Sequence, residues 1–267
     1  MKITTATLKE KKEKGEKITM LTAYGYPTAR ILDEADIDVV LVGDSLGMVV
    51  LGYETTIPVT LEDMLHHTKA VRRGVQHAML VSDMPFMTYE TDKSKAIENS
   101  GRLMKEGGAE GIKVEGGAEI AEIVSALVKA NIPVMGHLGL TPQAIHRIGG
   151  YKVQGKTDES RQKIIADAKL LEDAGIFALV LECVPESLAE EITAKISVPT
   201  IGIGAGRKCD GQVLVTNDML GMNAPGFQVP KFVKKYADLT PEIKKAVEKF
   251  RDEVKQGEYP DKKHTYE

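Results

Sequence analysis

The chain has 267 residues, 42% of them hydrophobic and 28% charged, with a formal net charge of -4. That length suits one large domain or two small ones, and α/β barrels commonly run to ~250 residues. The composition is that of an ordinary globular protein; the slight negative charge gives no reason to expect nucleic acid or an anionic membrane, and no apolar run approaches the ~18 residues of a membrane span.

The opening segment, residues 1–17, is basic and has no apolar h-region, so it reads as a short helical extension rather than a secretory signal. Short Val- and Ile-rich runs follow near 18–23 and 38–43, and Asp44 closes the second. Thr60 with Asp63 three residues later predicts a capping box and a helix that stops at Gly74. The next runs, near 78–83 and 110–115, end on Asp83 and Glu115. Ile120, Ile123, Val124, Leu127 and Val128 then form one apolar helical face. A run near 132–137 ends on His137, and a helix carrying Ile164, Ile165, Ala168, Leu171 and Ala174 reaches Gly175. The run near 177–182 ends on Glu182, and two more lie near 198–203 and 212–216. Ile243, Val247, Phe250 and Val254 mark a last helix with Pro241 in its first turn.

Eight strands alternating with helices predict an α/β fold, a (β/α)8 TIM barrel, with a doubly wound open sheet as the rival. No repeat, low-complexity tract or Ser/Pro linker divides the chain, so a single domain over 1–267 is expected. Two long loops, Ser45 to Val59 and Leu138 to Thr157, leave the C-terminal ends of strands, where barrels build their sites. Cys183 and Cys209 are too few for a disulfide framework and lack metal-site spacing, which makes a reduced cytoplasm the simplest compartment. The glycines of 202–206 resemble a phosphate loop, but the dinucleotide fingerprint is absent.

Four acids at strand ends are the strongest functional signal. A carboxylate at the end of a buried strand is costly to desolvate unless something pairs with it. Asp44, Asp83 and Glu115 converging on one mouth would repel without a cation or shared protons, and an all-oxygen set favours a hard ion such as Mg²⁺. The bland alternative is that each acid caps a helix or meets a surface lysine. Lys113 and Glu115, two apart, point to the same face of one strand, with Ile112 and Val114 toward the helices. They are either a buried ion pair or, for the lysine, a neutralising group for an anionic substrate. Glu182, in an apolar strand, suits a general base, or else pairs with a distant cation. His137 is either a site residue or a hydrogen-bonded structural histidine.

Several segments resemble one family, ketopantoate hydroxymethyltransferase. They include VGDSLGM (42–48), TIPVTLEDMLHHTKAVRRG (56–74), DMPFMTY (83–89), KVEGG (113–117), GHLGLTPQ (136–143) and GGYKVQG (149–155). ECVP (182–185), IGIGAG (201–206) and DGQVLV (210–215) match as well, and the resemblance runs from about Ile18 to Tyr259. It implies a barrel of the phosphoenolpyruvate/pyruvate group, assembled as a homodecamer of two pentamer rings. The implied activity is transfer of a hydroxymethyl group from 5,10-methylenetetrahydrofolate to 3-methyl-2-oxobutanoate, giving 2-dehydropantoate for pantothenate and coenzyme A synthesis. The resemblance places Asp44 and Asp83 as Mg²⁺ ligands with Glu115 completing the metal environment. It puts Ser45 and Lys113, with the two aspartates, on the keto acid and Glu182 as base. Where the family usually reads Thr-Ala-Tyr-Asp, this chain has Gly25, which can supply no charge there. The competing functions are a carbon–carbon lyase or phosphonomutase of the same barrel group, and a catalytically silent barrel.

Overall fold

The computed structural model describes residues 2–224 and 226–266. They fall into two compact units, Met1–Val215 and Thr216–Glu267. Eight parallel strands close a barrel in the first unit, each hydrogen-bonded to its sequence neighbours and β8 to β1. In chain order the elements are α1 (Thr5–Lys14), β1 (Ile18–Thr22), α2 (Tyr26–Glu34), β2 (Val39–Val42), α3 (Leu46–Val49), α4 (Leu61–Arg72), β3 (Met79–Asp83) and α5 (Lys93–Lys105). Then follow β4 (Gly111–Glu115), α6 (Ala121–Lys129), β5 (Val134–Gly139), α7 (Ile145–Ile148), α8 (Asp158–Ala174), β6 (Ala178–Glu182), α9 (Glu186–Lys195), β7 (Thr200–Ile203) and β8 (Gly211–Leu214). The second unit holds α10 (Thr216–Leu220) and α11 (Leu239–Gln256).

The closed ring settles the fold against the open sheet, and all eight strands sit within two residues of their predicted positions. The side-chain period of two explains both hydrophobic layers. Ile18, Met20, Val39, Leu41, Met79, Val81, Met135, Ala178, Val180, Ile201 and Val213 pack inside the barrel. Their neighbours Val40, Val42, Leu80, Ile112, Val114, Val134, Leu179 and Leu181 pack outward with residues of the helices. Leu8 of α1, 1% exposed, joins the interior cluster.

The basic opening segment has a structural reason. Lys2 pairs with Glu110, Lys11 with Asp38 and Lys12 with Asp210, acids that immediately precede β4, β2 and β8. Helix α1 therefore lies across the N-terminal end of the barrel, opposite the strand ends that carry Asp83, Glu115 and Glu182.

The predicted helix signals hold where they were clearest. Thr60 accepts from Asp63 N–H and Asp63 Oδ2 accepts from Thr60 N–H, closing the capping box of α4. Gly175, at φ 101°, ends α8 in the left-handed region. The two long loops differ from expectation, because each contains a four-residue helix, α3 or α7, too short to show a period. The second unit begins directly after β8, without a change in composition to mark the join. Its helix α11 carries Ile243, Val247, Phe250 and Val254 on one stripe, each 45–61% exposed. None of the described helices is long and apolar enough to cross a membrane.

Candidate active site

Strand parity carries the polar residues inward at the C-terminal end. Asp83 and Lys113 are paired in register across β3 and β4, as are Glu115 and His137 across β4 and β5, and Gly139 and Glu182 across β5 and β6. Lys113 and Glu115 share the interior face, as their spacing predicts, and Ile112 and Val114 face the helices. Asp44 enters from the turn after β2. Gly43 keeps that turn tight, since a Cβ there would stand 2.8 Å from Ser45 Oγ. At the end of β5, Gly139 adopts φ 96°, and a Cβ would collide with the Glu182 backbone oxygen. This glycine lets the loop 138–157 pass directly over the end of β6.

The charged groups form one buried cluster. Lys113 Nζ lies 3.2 Å from Asp83 Oδ1, 3.4 Å from Glu115 Oε1 and 3.1 Å from His137 Nδ1. His137 in turn lies 3.3 Å from Glu115 Oε1 through Nδ1 and 3.3 Å from Glu182 Oε2 through Nε2. The histidine left open by the sequence is thus central to the site, and it tempers the apolar setting expected around Glu182. Asp44 N–H donates to Asp83 Oδ2 at 3.0 Å. Gln143 Nε2 donates to Asp44 Oδ2 at 2.9 Å, and Gln143 N–H donates to Glu115 Oε2 at 3.1 Å. Ser45 Oγ shares a 2.8 Å hydrogen bond with Tyr24 OH.

These surroundings set the protonation states. Burial, reinforced by the charges of Glu115 and Asp83, pushes the Asp44 carboxyl well above the usual range. Burial likewise raises Asp83, against the pull of the Lys113 ammonium. Glu115 is held down at about 2, because Lys113 and His137 outweigh the cost of its burial. His137 rises to about 9; burial and Lys113 oppose its charge, but the carboxylates of Glu115 and Glu182 prevail. Burial, then the carboxylates beside it, act on Lys113 in opposite senses, and the carboxylates win and keep the ammonium charged. The Cys183 thiol, next to Glu182, is pushed up to about 12 by burial and that charge, so it offers no thiolate nucleophile.

The residues at hand suit a hard divalent cation. Burial and its acidic neighbours disfavour the charged form of Asp44, which a bound cation would restore. Asp83 Oδ1 is buried and faces the Lys113 ammonium at 3.2 Å, and that one cation is shared with Glu115. The donors of Asp83 and of Asp44 are oxygens. Among the described residues no three His, Cys, Asp or Glu side chains form a ready-made metal cage. Both oxygens of Glu115 already have partners, so what it offers a cation is charge.

Sequence reasoning assigned no role to Tyr89, Gln143 or Tyr24. The first two fall inside the segments DMPFMTY and GHLGLTPQ, which carried the resemblance, but nothing in either segment says what their side chains touch. Tyr89 OH lies 2.9 Å from both Glu115 O and Gln143 Oε1.

Comparison with known proteins gives a consistent result. A family model described as ketopantoate hydroxymethyltransferase matches residues 2–262. The chain is 60% identical over 265 residues to 3-methyl-2-oxobutanoate hydroxymethyltransferase of Thermoanaerobacter sp. (strain X514), covering 99% of this chain and 96% of that one. It is 57% identical to the protein of that name from Carboxydothermus hydrogenoformans, over 99% of this chain and 95% of that one. In fold it resembles 2,3-dimethylmalate lyase, a member of the PEP mutase/isocitrate lyase superfamily, with a TM-score of 0.62 at 15% identity over 99% and 92% of the two chains. Phosphonopyruvate hydrolase, solved with oxalate and Mg²⁺, gives a TM-score of 0.62 at 12% identity over 97% and 92%.

Proposed function

The chain belongs to the ketopantoate hydroxymethyltransferase family, and from that premise we propose how its barrel mouth works. The enzyme is a 3-methyl-2-oxobutanoate hydroxymethyltransferase that forms 2-dehydropantoate for pantothenate synthesis. Our reading takes 5,10-methylenetetrahydrofolate as the one-carbon donor and Mg²⁺ as the cation, held by Asp44 and Asp83 within the negative field of Glu115. The convergence of the buried Asp44, Asp83 and Glu115 carboxyl groups around a single ammonium, with the burial and repulsion that raise Asp44, is the observation that carries it.

A bound Mg²⁺ would supply Lewis-acid polarisation of the 2-oxo group, which acidifies the proton on C3. Lys113, fully charged and buried, sits ready to neutralise negative charge that builds on the keto acid when that proton leaves. Ser45, with Tyr24 fixing its hydroxyl, offers a hydrogen bond to the substrate's carboxylate. Glu182 removes the C3 proton, and its carboxylate is steadied by His137. The carbanionic C3 then forms a carbon–carbon bond to the one-carbon unit; with water, this yields the hydroxymethyl product and tetrahydrofolate.

A homodecamer of two pentamer rings, a cytoplasmic location and the absence of nucleic-acid or membrane partners complete the proposal, supported by the resemblance and by the modest net charge. The test is exchange of the substrate's C3 proton, followed by NMR in deuterated water without folate. Exchange that needs Mg²⁺ and stops with chelator is expected. Cleavage of the keto acid would indicate a lyase instead, and no exchange with Mg²⁺ present would refute the proposed chemistry.

A further inference from the structure

Gln143 is neither acid nor base, yet its side chain is among the most constrained at the barrel mouth. It is 6% exposed. Its Nε2 donates to Asp44 Oδ2 and to Met84 O, both at 2.9 Å, and its Oε1 lies 2.9 Å from Tyr89 OH. A primary amide has two N–H donors and one carbonyl, and all three are used. The orientation is chemically forced, because the reverse would press Oε1 against a carboxylate oxygen and a carbonyl oxygen. Tyr89, 1% exposed, accepts from Glu115 N–H at 3.1 Å. Its single proton stands between Glu115 O and Gln143 Oε1.

We propose that Gln143 is a positioning residue: it holds Asp44 by Oδ2, so that Oδ1 is the oxygen offered to the cation, and Tyr89 acts on Asp44 only through Gln143. The inference rests on reading Asp44 and Asp83 as the cation's ligands. Asp83 is likewise tied at one oxygen, with Oδ2 held by Asp44 N–H and Oδ1 facing the Lys113 ammonium. A carboxylate tethered at one oxygen has little torsional freedom to lose when it becomes a ligand, which is how outer hydrogen bonds tune metal affinity. Gln143 reaches Asp44 with its side chain but Glu115 with its backbone N–H. Substitution therefore loosens Asp44 while leaving the Glu115 contact in place.

The experiment measures Mn²⁺ binding to the whole, substrate-free enzyme by electron paramagnetic resonance, with a melting temperature for each variant. Gln143→Met keeps the length of the side chain and removes the amide; it should weaken Mn²⁺ binding about 10–100-fold. Tyr89→Phe should weaken it less. The double variant should bind Mn²⁺ no more weakly than Gln143→Met, although it melts lower. Unchanged affinity in folded Gln143→Met, or losses that multiply in the double variant, would overturn the proposal. Should Gln143→Met fail to fold, unchanged affinity in Tyr89→Phe overturns it alone. Asp44→Ala separates the two layers. If it binds Mn²⁺ like the wild type, the ligand reading falls and this inference with it; if it loses Mn²⁺ while Gln143→Met does not, only this inference falls.

Discussion

Replacing Lys113 with Met should move stability and ligand affinity in ways that identify what the ammonium does. Its nitrogen lies 3.2 Å from Asp83 Oδ1 and 3.4 Å from Glu115 Oε1. At an effective dielectric of ~20, each contact is worth roughly 5 kcal/mol of Coulomb energy. Much of that is offset by desolvation of the ammonium itself. Lys113→Met keeps the apolar stem but leaves the carboxylates buried without their cation, a change that typically costs about 3–5 kcal/mol. In metal-free protein the full loss should be seen. Mg²⁺ should then restore part of it, since a ligand at a hundred times its Kd adds about 2.7 kcal/mol. In the wild type the same ion must share Asp83 with the ammonium, so Mg²⁺ should stabilise the variant more than the wild type. Keto-acid affinity should move the opposite way: a lost charge-assisted contact of roughly 1.5–3 kcal/mol raises Kd by about one to two decades. Urea unfolding with and without Mg²⁺, and calorimetry with 3-methyl-2-oxobutanoate, read both. A metal-free variant as stable as the wild type, with unchanged keto-acid binding, would refute the reasoning.

Three further outcomes are expected. Glu182→Gln should slow C3 proton exchange by about 10²–10⁴-fold while Mg²⁺ and keto-acid binding change little; normal exchange by NMR would move the base elsewhere. His137 titrates near 9 in the fold against 6.5 in the free side chain. Its contribution to stability is therefore fully present below about 6.5 and lost as pH rises through about 9, so unfolding free energy should fall over that window in the wild type. His137→Phe should lack this slope, and a slope that survives the substitution assigns it to another group. Gly25 caps α2 without a side-chain bond, and a Cβ there meets nothing within 4 Å. Gly25→Asp should raise stability by a few tenths of a kcal/mol through the new N-cap, and a lower melting temperature would show that the space is not free.

The strands were legible because a two-sided buried strand needs a continuous apolar run, and each run here is bounded by a turn. The acids were legible because a carboxylate is rare at the end of such a run. Other features left no local mark. Gln143 looks like any loop glutamine, and its meaning comes from Asp44, 99 residues away. Helices α3 and α7 are single turns, shorter than any period. Helix α1 is polar around nearly its whole surface, and only Leu8 and its paired lysines reveal where it lies. The second unit was hidden for the opposite reason: α11 carries a regular apolar stripe of the kind that barrel helices also show.

Leu8 and the lysines around it close the far end of the barrel. Above that floor the interior is filled by packed side chains, so nothing reaches the charged cluster by passing through the barrel. On the proposed chemistry, whichever reactant goes in first is covered by the one that follows. The keto acid, anchored along the inner wall by Lys113, has to be seated before the bulkier folate arrives over it. The exit runs in reverse, with tetrahydrofolate leaving before 2-dehydropantoate can. The order of events is thus imposed by side-chain packing below the level at which any chemistry happens.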